Sequence, residues 1–402
     1  MRNEHFRDFI LLCGVGFLSF VSYNLVRTPT LAPFAESLGA GPMAVGVIVA
    51  ASTLTGVFLK LPMGVLSDIV NRKKLMLVGV LAFAFPPFVY PWITNLEVLG
   101  VVRLVHGLAT AVYTPLVLAL VVTMYPKQRG ESLGWYTSAA QGGFFLAPAL
   151  GGWLFDHWGF AYTFNIAGVV GVLALILFFP IFRSSQEVLS QKPLFAEVME
   201  EFRVSVKGVL HNRLILAISG SEAAKMMANG TLMAFLPLYA LSIGLSLTEG
   251  GILFSVQGLV SFFCKPFMGK VSDQWGRRPL IILGLLMCGG TICAIPHFTQ
   301  FAVLILFSVG FGFGEAVVTS SSAAYIAELS QGQNLGAGLG LRGTIMDMGH
   351  AGGPMLAGVL VAMISYTWAF AVIAILQVVA AVLFWVVTRQ VSPHEVVSPN
   401  PG

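Results

Sequence analysis

The chain has 402 residues, of which 56% are hydrophobic and only 10% charged. A soluble domain carries about 25% charged residues, so this composition excludes a water-soluble globular fold and makes lipid the solvent for most of the surface. The formal net charge of +4 is not the mark of a nucleic-acid binder, because the basic residues sit where membrane topology wants them.

Taken in chain order, the segment MRNEHFRDF is too polar, and the apolar run after it too long, for a cleaved signal peptide, so the first run reads as a retained helix. A membrane helix needs about 20 apolar residues. Apolar runs between polar or turn-rich breaks predict twelve spans: 9–34, 43–66, 74–93, 97–123, 132–155 and 161–183, then 213–240, 248–269, 279–297, 300–327, 338–363 and 366–388. Pro86, Pro87 and Pro91 crowd the third span and predict a kink there. The stretch 184–212 is the longest polar one. It divides the spans six and six and reads as a linker with an amphipathic surface helix. The expected organisation is a bundle over 1–183, a linker over 184–212, a second bundle over 213–389 and a tail over 390–402.

Of the 22 Lys and Arg residues, Arg27, Lys60, Arg103, Lys225, Lys265 and Arg342 lie inside spans. All the others fall in the tails, the linker, or the connections around 67–73, 124–131 and 270–278, or at the span ends bordering them. The connections on the other side hold Glu36, Asp156 and Glu249 but no basic residue. Basic loops stay in the cytoplasm, which predicts that both termini are cytoplasmic.

The two halves repeat. GVLSDIVNRKK at Gly64 returns as GKVSDQWGRRP at Gly269, and Lys60 returns as Lys265. Gly134, Gly143, Ala147, Pro148, Gly151 and Gly152 return with identical intervals as Gly340, Gly349, Gly353, Pro354, Ala357 and Gly358. Ordered matches at nearly one offset mark a duplication. Six spans per half give the second copy the orientation of the first, a parallel repeat about an axis normal to the membrane.

Over essentially its whole length the chain resembles the major facilitator superfamily. The carriers are the loop motif at Gly64, Asp68, Arg72 and Lys73, with Asn71 where Gly is usual; its complete copy at Gly269, Asp273, Arg277 and Arg278; and RLVHG in the fourth span, where His106 stands for the common Gln. The pattern around Gly143, Pro148, Gly151 and Gly152 is similar to the antiporter motif of the family's drug–proton exporters, with Ala147 in place of a Gly. The resemblance implies an all-α fold of twelve transmembrane helices in two six-helix bundles. It also implies a multi-pass protein of the plasma (bacterial inner) membrane, working as a monomer on a small-molecule substrate, with protons as coupling ion. It further implies a cytoplasmic gate at the two loop motifs and a role in coupling for Arg103.

Gly64 and Gly269 have no side chain where a helix reaches the membrane face, so a neighbour can approach closely. The alternative is that the basic loops only fix orientation. The Gly-Pro residues, with Gly349, Gly353 and Pro354, predict a close-packed seam between halves. Ordinary small-residue packing reads the same way.

Ionisable groups inside a bilayer are costly unless paired or hydrated. Glu315, Glu222 and Asp347 are the candidate proton carriers. Glu315 is preferred because its own helix turn holds no basic residue. Glu222 and Lys225 stand at i and i+3 and are read equally as a structural pair. Tyr23, Asn24, Arg27, Gln141, Lys225, Asn229, Gln257 and Thr319 are expected on a central cavity, with three bases (Arg27, Arg103, Lys225) balancing three acids. His106 and His350 read as satisfied polar residues. Lys60 and Lys265, near span ends, are expected to snorkel to the surface. The four cysteines lie in apolar runs without metal spacing. No metal site, cofactor motif, P-loop or catalytic constellation stands out, so an enzyme is not expected. The leading expectation is a proton-coupled exporter of a lipophilic or drug-like molecule. The alternatives are uptake or exchange of a small organic anion, and, more remotely, a non-transporting sensor.

Overall fold

The computed structural model describes residues 2–69, 71–125, 128–183, 212–329 and 335–389. Among the described residues there is no strand. The helices are α1 (Arg2–Arg27), α2 (Leu31–Ser37), α3 (Pro42–Ile69), α4 (Arg72–Ala84), α5 (Pro86–Val89), α6 (Leu96–Met124) and α7 (Arg129–Arg183). They continue with α8 (Arg213–Ser242), α9 (Leu247–Trp275), α10 (Arg277–Ala294), α11 (Phe301–Leu329), α12 (Leu335–Met363) and α13 (Tyr366–Thr388). The linker expected over 184–212 lies outside the described residues except for Asn212, and so does the tail.

Ten helical segments are long and apolar enough to cross a membrane. One of them, Gly130–Phe182, doubles back at Gly159, whose φ of 75° and ψ of −176° no helix accommodates, and therefore crosses twice. Helix α8 spans 30 residues and makes the remaining crossing. Ser219, Glu222, Lys225 and Asn229 on one face lower its mean hydropathy. At about 1.5 Å per residue, helices of this length exceed the hydrocarbon core. Phe58, Trp92 and Leu306 are among the large apolar side chains left outside for lipid.

Polar caps mark where crossings begin. The Asn71, Asn95, Asn212 and Ser365 side chains accept backbone N–H groups in the first turns of α4, α6, α8 and α13. Ser246 and Glu249 form a reciprocal capping box at α9. Two spans are broken where the sequence carries proline. The expected continuous run 9–34 stops at Arg27, passes Pro29, and resumes as α2. The third span ends at Ala84 and continues as α5 and a turn of 3₁₀ helix, Tyr90–Trp92, because Pro86, Pro87 and Pro91 donate no N–H to a preceding turn.

Within the first half α1 packs on α7, and α6 on α3 and α4; within the second, α8 packs on α12 and α13, and α11 on α9 and α10. The halves meet through two equivalent pairs, α3 with α12 and α7 with α9. Twelve crossings put both termini on one face of the molecule.

A central cavity between the two halves

Glycines let the two halves touch backbone to backbone at the face away from the termini. A Cβ at Gly46 would collide with the carbonyl oxygen of Pro354, and one at Gly251 with that of Pro148. Likewise Gly152 lies against Leu247, and Gly358 against Pro42 and Met43. These are repeat twins: Gly46 and Gly251 stand 205 positions apart, as do Pro42 and Leu247. The same motif also packs inward. Gly143 and Gly151 abut α1 at Phe20–Val21 and Leu25, while Gly349 and Gly353 abut the α8 carbonyls of Ala223 and Met227. One Gly-Pro helix per half therefore holds its own bundle with one face and the opposite bundle with the other.

Beside this seam the Asp156 carboxylate of α7 crosses between halves to the start of α9. It accepts from Thr248 N (2.8 Å), Thr248 Oγ1 (2.5 Å) and Leu247 N (3.3 Å). Free N–H groups and the helix dipole make this a natural seat for a carboxylate.

Behind the seam, between the bundles, lies a cavity of about 510 Å³. It continues toward the termini face, as far as Leu118, Tyr136, Lys265 and Arg342. Tyr23, Asn24, Arg27, Gln141, Lys225, Asn229, Gln257 and Thr319 all line it, together with Glu315, Asp347 and His350. Asn24 is tied to the Phe20 carbonyl of its own helix (2.8 Å), and Gln257 is at 3.5 Å from Ser308 Oγ. Phe20, Phe144, Met226, Met233 and Phe254 supply the apolar wall.

Several charged residues have partners that sequence distance conceals. Glu222 does not line the cavity. It is buried behind the wall, 3.1 Å from Lys225 and 2.7 Å from Arg342 of α12. Lys225 also donates to Thr319 at 2.9 Å. Lys60 and Lys265 do not snorkel outward. Both line the cavity, and Lys60 pairs across the halves with Asp347 at 2.5 Å, since α3 packs on α12 of the opposite half. Arg27 donates to Thr53 (3.1 Å) and, across the halves, to His350 Nε2 (2.8 Å). Among the described residues Glu315 forms no hydrogen bond or ion pair, and Lys265 is its cationic neighbour. The balance of three bases and three acids is thereby corrected: five cations line the cavity.

Arg103 is not on the cavity wall. It is fully buried one layer back, bonded to Ser52 and to the Tyr90 hydroxyl (3.3 Å). The cavity residue Tyr23 stands between it and the lumen, with the Arg103 guanidinium 6.0 Å and that of Arg27 5.6 Å from its ring. His106 is 3.1 Å from the Tyr90 hydroxyl in the same layer.

At the termini face, the surroundings of Gly64 and the side chain of Asp68 lie outside what is described. Arg72 donates to Thr123 at 2.9 Å, and Lys73 is engaged. The second motif binds within its own half: Arg277 pairs with Asp273 and with Glu328 of α11 (2.8 Å), and Arg278 donates to Tyr325 at 3.1 Å. Glu328 was not foreseen, since nothing in its helix repeats the motif. Gly269 has open space beside it, so the expected close approach there is absent with the halves parted at this face.

The family model of the Major Facilitator Superfamily matches residues 12–239 and 218–402. An uncharacterised MFS-type transporter of Methanocaldococcus jannaschii is 25% identical over 82% of this chain and 83% of its own length. The quinolone resistance protein NorA of Staphylococcus aureus is 23% identical over 88% of this chain and 89% of its own. Among solved structures, a bacterial homolog of the human lysosomal transporter Spinster, in an inward-facing and unoccupied conformation, superposes with a TM-score of 0.81. That likeness covers 97% of this chain and 99% of the other, at 14% identity. With its twelve crossings and paired bundles, the chain belongs to the Major Facilitator Superfamily and is a multi-pass membrane transporter.

Proposed function

We propose that this transporter works by alternating access and expels an amphipathic, drug-like small molecule in exchange for protons across the plasma (bacterial inner) membrane. The observation that carries the reading is the asymmetry of the contacts between halves. The tightest backbone contacts fall at one face, while the cavity runs toward the other, the face of the basic loops. Basic loops belong in the cytoplasm, so the conformation is the inward-facing one, as in the Spinster homolog. Rocking of the bundles about the central cavity would open the seam and close the basic face. Glu315, facing the cavity beside Lys265, is the best-placed proton carrier. A carboxylate there can exchange protons with the lumen and sense a neighbouring base. Export rather than uptake is favoured by the antiporter-like pattern of Gly143, Pro148, Gly151 and Gly152, together with the likeness, over 88% of this chain, to a quinolone resistance protein.

Purified protein in liposomes with an imposed pH gradient tests this against lipophilic cations, neutral drugs and organic anions. The expected result is movement of at least one class against its own gradient, driven by protons moving the opposite way. Movement in the same direction as protons would replace the exchanger by an uptake carrier.

A further inference from the structure

The charges around the cavity do not cancel. Arg27, Lys60, Lys225, Lys265 and Arg342 line it, against Glu315 and Asp347, with Glu222 immediately behind. Lys60 and Asp347 neutralise one another, and Lys265 is the neighbour of Glu315. Lys225 and Arg342 share the single carboxylate of Glu222, so one positive charge is left over. Arg27 has no carboxylate: its polar partners are the Thr53 hydroxyl and His350. A guanidinium only donates, so His350 Nε2 must accept from it and the ring there is neutral. The Nε of Arg27 and the Nε of Arg342 are buried without a hydrogen-bond partner. Arg103, a layer behind Tyr23, adds another cation held by hydroxyls and rings rather than by an acid.

Surplus charge of one sign in a cleft with low-dielectric walls focuses its field on the lumen and draws in a counter-charge. Two guanidinium groups and an ammonium on the lining of one cavity suit a planar or tetrahedral oxyanion. The opposite requirement comes from Phe20, Phe144, Met233 and Phe254, which line the same cavity; the Phe20 and Phe144 rings stand 4.8 Å apart. We infer that the substrate is an amphipathic anion, its carboxylate, sulfonate or phosphate group seated among Arg27, Lys225 and Arg342 and its apolar body against the Phe20–Phe144 wall. The inference rests on the transporter reading above and names the substrate class of its cavity.

Three probes with one apolar body separate head-group charge from hydrophobicity: pyrenebutyrate, pyrenebutanol and a pyrenebutyl-trimethylammonium salt. Their binding is measured by fluorescence titration of the purified full-length protein in nanodiscs of zwitterionic lipid, less the signal of empty nanodiscs. The butyrate should bind at least about tenfold tighter than the other two, and more weakly as salt is raised. Arg27→Gln should bring the three within about twofold, while Arg27→Lys, which keeps the charge, should keep most of the preference. Butyrate binding no tighter than the alcohol or the ammonium overturns the inference, and so does a preference that survives both Arg27→Gln and Lys225→Gln. Neither result touches alternating access, which fails only if a chain cross-linked shut at the Asp156–Thr248 contact still transports.

Discussion

Glu222 and Glu315 are both carboxylates at membrane depth, yet their surroundings assign them different work. Glu222 is fully buried and held by Lys225 and Arg342, a geometry that keeps its charge in place. Glu315 faces the cavity without an ion pair. Glu315→Gln should therefore slow transport driven by a pH gradient by about tenfold or more, equivalent to roughly 1.4 kcal/mol. Exchange of labelled for unlabelled substrate without a gradient should persist. Proteoliposome flux under the two regimes reads this, and undiminished proton-driven flux in the variant removes Glu315 from the coupling path. Lys60 and Asp347 offer a second measurement. Their side chains keep 31% and 18% exposure, so solvent screens part of the attraction. A double-mutant cycle with Lys60→Met and Asp347→Asn, read as thermal stability in detergent, should give a coupling of about 1 kcal/mol. A coupling of zero would mean that the contact does not hold the halves.

The spacing of Ser219, Glu222, Lys225 and Asn229 along one helix makes the polar face of α8 visible in the sequence, because a helix brings i, i+3 and i+4 together. The second partner of Glu222 is not visible, since Arg342 is 120 residues away and only the docking of α12 on α8 brings it near. Lys60 and Lys265 misled for a related reason. Position near a helix end suits snorkelling, and only the packing of a helix against its neighbours decides which way the stem points.

At the scale of elements, α3 and α9 carry the partners of the Gly-Pro helices. The breaks at Pro86, Pro87 and Pro91 and the reversal at Gly159 in α7 are local chemistry, so the broken third span could be read directly, whereas the break after Arg27 needed the fold. Gly46 and Gly251 had a readable signal, an interval of 205 residues, but no surrounding motif to draw attention to it. Neither site has room for a side chain, because the facing group is a backbone carbonyl that cannot rotate away. Gly46→Val and Gly251→Val should each push the bundles apart at the closed face. Overpacking of this kind costs about 1–3 kcal/mol, enough to lower the melting temperature and to expose the seam. A cysteine placed at Met355, half exposed beside Pro354, should react faster with a membrane-impermeant maleimide added from the side opposite the termini. Unchanged labelling in both variants would mean that these contacts do not close the face.

The whole molecule repeats at nearly one interval. The motif pairs displayed it, and six spans per half fixed its parallel sense before any contact was known. The conformation could not be read that way, because both states of a rocking transporter share one sequence. It emerges from which glycines are in contact and which, like Gly269, are not. Asp156 gives the most direct handle on that state. Its carboxylate reaches from α7 to the first turn of α9 in the opposite bundle, with Thr248 Oγ1 at 2.5 Å, and it has no acidic twin in α12, where Ala362 holds the repeat-equivalent position. Asp156→Ala removes the contact. By analogy with helix caps the loss is about 1 kcal/mol, a roughly fivefold shift away from the closed face, read as faster labelling from that side. The converse variant locks it. With Cys13, Cys264, Cys288 and Cys293 replaced by serine or alanine, Asp156→Cys and Thr248→Cys would bring two thiols together across the halves. Oxidation should then hold the face shut and stop transport, and reduction should restore it, while substrate binding from the termini face persists throughout. A chain that forms this cross-link quantitatively and still carries substrate across the bilayer would show that the closed face never needs to open, and alternating access would have to be abandoned for this protein.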